Sequence, residues 1–210
     1  IPLRYKSRKD KNPPIIAICD VSGSMSRYSR MLLHFMHVLT TLRNDVHTFL
    51  FGTRLTNVTR FLRFKDVDEA LAATSSAVED WSGGTRIGDC LKEFNFNWSR
   101  RVLGPGAIVL FITDGLDRGG GIGLSKQIKL IQKSSKRLIW LNPLLRYEEF
   151  APKPTGVKAI LPYVDEFRPI HSLESMDQLV NALSETNLQS RFNMAPWLEK
   201  LSEIENAECH

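Results

Sequence analysis

Three short stretches of this 210-residue chain carry oxygen-bearing side chains at spacings that could do chemistry. Asp20-Val21-Ser22-Gly23-Ser24 follows one apolar run, Thr113-Asp114-Gly115 follows another, and Gly83-Gly84-Thr85 lies between them, just ahead of a helical stretch. Asp20, Ser22, Ser24, Thr85 and Asp114 together offer two carboxylates and three hydroxyls. A hard divalent ion such as Mg²⁺, or Mn²⁺, takes oxygen ligands; Mg²⁺ binds them at about 2.0–2.1 Å and keeps several waters. Zn²⁺ is expected to fit less well, because neither His nor Cys joins the set. Two carboxylates among neutral hydroxyls only partly offset the ion, which stays attractive to an incoming carboxylate.

Asp-x-Ser-x-Ser alone reads as a polar turn as readily as a ligand set. The two strand-end aspartates and the threonine after a diglycine give it weight. Other candidates have plainer readings. Ser22 or Ser24 as a nucleophile lacks a placed base and the Gly-x-Ser-x-Gly elbow. The run Gly119-Gly120-Gly121-Ile122-Gly123 lacks the Gly-Lys-Ser/Thr of a phosphate loop and is read as a turn. His34 and His37, three apart with no carboxylate motif, are placed on a helix surface or core edge. Asp117 and Arg118 beside the aspartate loop are either surface charges or partner contacts, and Asn142-Pro143 shapes a loop of unassigned function.

The elements that must position these residues follow from hydrophobic pattern. Ile15–Cys19 and Ala107–Ile112 are apolar without alternation, as in central strands buried on both faces. Val46–Phe51, Arg54–Arg60 and Arg137–Leu141 add strands, the first two joined so closely that they must be antiparallel. Glu166–Ile170 is read as an edge strand, where Pro169 is tolerated. Helices are expected over 27–43, 67–79 (with Asp66 and Glu69 as a capping box), 87–98, 124–134 and 174–185, and a short one after Pro196 is available for packing on a partner. The result is an α/β fold: a Rossmann-like, doubly wound, mostly parallel sheet with one antiparallel edge strand and helices on both faces. Such sheets bind at the C-terminal ends of their strands, near a switch in strand order.

Residues 1–12 form a basic lead (Arg4, Lys6, Arg8, Lys9, Lys11), 13–188 the domain, and 189–210 an acidic tail with Glu199, Glu203, Glu205 and Glu208. The net charge of +5 is therefore unevenly placed; with no nucleic-acid motif beside it, the basic cluster is read as a solvated linker. Cys19, Cys90 and Cys209 are odd in number and fit no metal or redox spacing, which points to reduced thiols and a cytoplasmic protein. No apolar run is long enough to span a membrane and no secretory signal is visible; a chain beginning at Ile1 is read as lacking its native N-terminus.

The combination Asp20-x-Ser22-x-Ser24, Thr85 and Asp114 resembles the metal-ion-dependent adhesion site (MIDAS) of von Willebrand factor type A (VWA) domains at all five positions. Gly83-Gly84-Thr85-Arg86-Ile87-Gly88, Thr113 to Gly119, Ile139 to Leu144 and Leu161 to Asp165 are similar to the CoxE-type branch, over about residues 12–185. The chain departs from it at Gly120-Gly121, where a more polar turn is expected. The resemblance implies that the serines and the threonine contact the ion, that the aspartates act directly or through water, and that a partner's acidic residue completes the shell. It also implies a non-enzymatic interaction module working with a MoxR-type AAA+ ATPase in maturing the metal centre of a client, such as carbon monoxide dehydrogenase or a related molybdenum hydroxylase. The alternative is a metal-dependent hydrolase that uses the ion to polarise a phosphoryl or carbonyl group.

Overall fold

A computed structural model of the chain describes residues 13–78, 84–147, 149–184 and 193–208. The basic lead, Gly83, the first residues of the tail and Cys209 lie outside these. In chain order the elements are β1 (Ile15–Asp20), α1 (Ser26–Leu42), β2 (Val46–Phe51), β3 (Leu55–Asn57), α2 (Val67–Ala77), α3 (Ile87–Asn97), α4 (Ser99–Val102), β4 (Ile108–Ile112), α5 (Leu124–Ser134), β5 (Arg137–Asn142), α6 (Thr155–Ile160), β6 (Glu166–Pro169), α7 (Leu173–Ser184) and α8 (Ala195–Glu208).

The strands form one sheet in the order β3-β2-β1-β4-β5-β6. All neighbours are parallel except β2 and β3, which pair antiparallel. Every residue of β1 and β4 is buried, as their unbroken apolar runs require. Because side chains alternate across a strand, Ile15, Ala17 and Cys19 enter one core layer with Leu32 and Met36 of α1 and Leu179 of α7. Ile16 and Ile18 enter the opposite layer with Leu91 and Phe94 of α3, Ile128 of α5 and Val157 of α6. The sheet is thus covered on both faces. Strand order reverses between β1 and β4, whose register pairs Cys19 with Ile112; the two candidate aspartates emerge at that switch point.

Local signals act as expected at several ends. Asp66 caps α2 by accepting from the backbone N–H of Asp68 (2.9 Å) and Glu69 (3.0 Å). At the edge, buried Glu166 accepts from Arg137 Nε (2.9 Å) and Arg168 Nε (2.6 Å), which compensate its charge. The third strand is shorter than its sequence pattern, three residues followed by a 3₁₀ turn at Phe61–Arg63. The last helix differs more. It begins at Ala195, ahead of Pro196, and runs 14 residues, since proline is well accepted in a first helical turn. It also packs on its own chain: the Trp197 ring lies 5.8 Å from Phe150 and 5.2 Å from Phe167, Leu201 is buried, and Lys158 pairs with Glu208.

Cys19 and Cys90 are free and buried. Burial pushes the Cys19 thiol well above its usual range, and that of Cys90 up to about 12, with nearby carboxylates adding to both; neither is reactive as a thiolate near neutrality. Among the described residues no helix is long and apolar enough to cross a membrane.

Candidate metal site

Four connections converge on the C-terminal edge of the sheet. After β1 the chain turns through Asp20 into a 3₁₀ turn at Gly23–Met25, with Met25 N–H donating to Ser22 O (3.0 Å). This turn holds the two serine hydroxyls 3.1 Å apart. Asp20 is almost fully buried: one oxygen accepts from Ser22 N–H (2.8 Å), the other from the Thr113 hydroxyl (2.7 Å). The loop after β1 is therefore tied directly to the loop after β4.

The β4 loop is fixed in turn. Asp114 Oδ1 accepts from Leu116 N–H (3.0 Å), and the Asp114 carbonyl accepts from Asn142 Nδ2 (3.2 Å) at the end of β5. Trp140 Nε1 donates to the Thr113 carbonyl (2.9 Å). Gly115 turns the chain with φ +81°, where a side chain would be strained and a Cβ would meet Val157 Cγ2 at 2.8 Å. A Cβ at Gly156, at the start of α6, would overlap the Gly115 carbonyl oxygen.

Thr85 is locked to the same loop. Its carbonyl accepts from Arg118 N–H (3.0 Å), and the Asp117 carboxylate accepts from Ile87 N–H (3.0 Å) and Gly121 N–H (3.0 Å). Arg86 N–H donates to Gly52 O beyond β2 (3.1 Å). Ser22, Ser24 and Thr85 line one cavity of about 380 Å³ together with Leu116, Arg118 and Gly156. Asp20, at the end of β1, and Asp114, two residues after β4, are both buried.

The five residues singled out in the sequence thus gather at the predicted edge. Asp117 proves to be a brace between the β4 loop and α3. Its carboxylate accepts from the Gly121 amide, and the glycine run is a turn, as expected. His37 is buried with Nδ1 3.1 Å from Leu62 O and belongs to the core edge. Neither Ser22 nor Ser24 has a His or Lys base as a hydrogen-bond partner among the described residues. Thr113, Trp140 and Gly156, which carry no separate signal in the sequence, and Asn142, expected only to shape a loop, orient the ligand loops. Asn142 was visible as a polar residue ending an apolar strand, but only the paired strands show that it reaches Asp114.

The donor set fits a hard cation. Among the described residues neither Asp20 nor Asp114 is ion-paired with Lys or Arg, and no group of three or more His, Cys, Asp or Glu competes as a metal site. Burial lifts the Asp20 carboxyl to about 6, with neighbouring Asp114 adding to the rise and the bonds from Ser22 and Thr113 opposing it. An Asp raised from 3.8 to about 6 binds its proton more tightly folded than unfolded. Its contribution to metal-free stability is full below about pH 4 and is lost as pH rises through about 6. Denaturation in chelator should accordingly show stability rising from pH 7 to pH 5, and Asp20→Asn should flatten that slope. A cation must displace the same proton, so ion affinity at pH 5 is expected to be about tenfold below that at pH 7.

Sheet order and loop set together define the domain as one of the VWA class. Solved structures share the fold at low identity. Proximal thread matrix protein 1 from the mussel byssus has a TM-score of 0.55 at 18% identity, covering 83% of this chain and 47% of that one; another of its structures has a zinc-occupied MIDAS motif. BatB from Bacteroides thetaiotaomicron has a TM-score of 0.50 at 14% identity, covering 82% and 98%. The pilus adhesin SpaC from Lactobacillus rhamnosus GG in its open conformation has a TM-score of 0.55 at 12% identity, covering 83% and 30%. The chain spans about half the length of the mussel protein. No curated protein matches the sequence. The family model described as "VWA domain containing CoxE-like protein" matches residues 1–176, and the chain belongs to that family.

Proposed function

We propose that the chain is a metal-dependent protein-interaction module, with Asp20, Ser22, Ser24, Thr85 and Asp114 holding one divalent cation, Mg²⁺ or Mn²⁺. The observation that carries this reading is the convergence of Ser22, Ser24 and Thr85 on one cavity, with the carboxylates of Asp20 and Asp114 buried in the adjoining chain and neither of them ion-paired with Lys or Arg among the described residues. When bound, the ion supplies a Lewis-acidic position for an incoming carboxylate. The protein's part is to orient the hydroxyls and to keep both aspartates in place through Thr113 and Asn142. The zinc-bearing MIDAS motif of a structural neighbour supports a divalent ion and adds zinc to the ions to be compared.

Family membership supports the finer reading. The partner is a MoxR-type AAA+ ATPase, or the client metalloenzyme it matures, such as a molybdenum hydroxylase or carbon monoxide dehydrogenase. It engages the ion through an acidic residue, in the cytoplasm. The domain proper is taken as residues 13–188, and the segment that follows it contributes α8, whose Trp197 and Leu201 pack onto it. An interaction role is favoured over a hydrolase because, among the described residues, neither serine has a His or Lys base as a hydrogen-bond partner. Turnover of a phosphoester or acyl substrate with Mg²⁺ would reverse that choice.

The test is complex formation with a MoxR-type AAA+ ATPase in Mg²⁺, in EDTA, and with Thr85→Ala. Losing one side of a desolvated charged contact costs about 2–5 kcal/mol, so both EDTA and Thr85→Ala should abolish a complex seen in Mg²⁺. Equal binding in all three conditions would show that the cavity is not the contact surface.

A further inference from the structure

We propose that Arg118 is a second anchor for the partner, so that the docking segment presents two neighbouring carboxylates, one to the ion and one to this guanidinium. The proposal rests on the metal-dependent reading above. Arg118 lines the same cavity as Ser22, Ser24 and Thr85. Its N–H bond to the Thr85 carbonyl fixes its backbone beside a ligand residue. Its guanidinium lies against Gly84, where a Cβ would overlap Cζ, Nε and Nη1; the missing side chain at Gly84 is what lets it lie there. The residue is exposed, and no carboxylate among the described residues pairs with it.

A fixed cation next to a cation site is repulsive unless an anion screens the two from each other. One partner carboxylate bound to the ion leaves the guanidinium without a carboxylate among the described residues, whereas a second satisfies it with charge-assisted hydrogen bonds. Asp117, its sequence neighbour, is already committed to two backbone amides. Arg146, which does not line this cavity, lies 4.3 Å from the Tyr147 ring centroid and 5.9 Å from that of Tyr28, and so is engaged. Leu116, 44% exposed at the cavity edge, offers an apolar contact to the segment between the two acids.

The probes are two blocked peptides in a Gly/Ser background, one with a single aspartate and one with two aspartates at neighbouring positions, titrated into the full chain and followed by NMR. In Mg²⁺ the diacid should bind wild type about tenfold more tightly than the monoacid. Arg118→Gln should erase that ratio and keep metal-dependent monoacid binding. Gly84→Ala, which displaces the guanidinium without removing its charge, should reduce the ratio likewise; Arg27→Gln, removing an exposed charge outside the cavity, should not. A diacid preference that survives Arg118→Gln, or falls equally in Arg27→Gln, overturns the assignment. Binding that EDTA leaves unchanged but Arg118→Gln abolishes contradicts the metal reading and leaves Arg118 as an anion contact. No binding of either peptide overturns both.

Discussion

Alanine at Ile18 should destabilise the domain by about 2–5 kcal/mol, while alanine at Asp20, two residues further along, should leave stability nearly unchanged in chelator. The difference lies in what each side chain does. Ile18 is fully buried in a close-packed layer, between Phe49 and Phe111 on the adjoining strands, so truncation leaves a cavity that rigid neighbours cannot fill. Asp20 is also buried, yet its charge is held at a cost. With the carboxyl raised to about 6, the ionised form at pH 7 is penalised by on the order of 3 kcal/mol relative to the unfolded chain. Removing it relieves that penalty and loses the bonds from Ser22 and Thr113, worth about 1–3 kcal/mol where a buried donor is left unsatisfied. The two effects oppose each other. Urea denaturation of both variants in EDTA separates them; a loss at Asp20→Ala as large as that at Ile18→Ala would show that site and core are not independent.

The same balance explains which parts could be read from the sequence. The apolar runs at 15–19 and 107–112 are legible as strands because they are buried on both faces and carry no polar interruption. Helix α5 was legible to the residue, Leu124–Ser134, because glycines precede it and its apolar face is regular. The ligand candidates were legible because their residue types and strand-end positions coincide. Short elements were not. Helix α6 follows Pro154 and spans only Thr155–Ile160, too few turns to show periodicity. It matters nonetheless, since Gly156 must be a glycine to let the helix approach Gly115. The contacts of Thr113 with Asp20 and of Asn142 with Asp114 join residues 93 and 28 positions apart, and no local spacing encodes them. Helix α8 begins two residues ahead of the start that the sequence suggests, because Pro196 is a first-turn residue and not a boundary. Its docking depends on aromatic rings at 150 and 167 that sequence pattern does not connect to it.

The second large effect is on the ion itself. Asp20→Ala removes one of two carboxylates and, with it, the partner of Ser22 N–H, so affinity for a divalent cation should fall by at least about a hundredfold if carboxylate oxygen supplies most of the charge balance. Asp20→Asn should lose nearly as much while keeping the shape of the turn. That pair distinguishes loss of charge from loss of geometry. Calorimetric titration of wild type and both variants with MnCl₂ at pH 7.0, roughly one unit above the raised carboxyl, reads the difference; equal affinities in all three would place the ion elsewhere.

The most direct measurement is anomalous diffraction from crystals soaked in MnCl₂. The expected result is a manganese peak bounded by Asp20, Ser22, Ser24, Thr85 and Asp114, absent from Asp20→Ala crystals treated identically. A wild-type crystal with manganese bound elsewhere and no peak among those five residues would contradict the account.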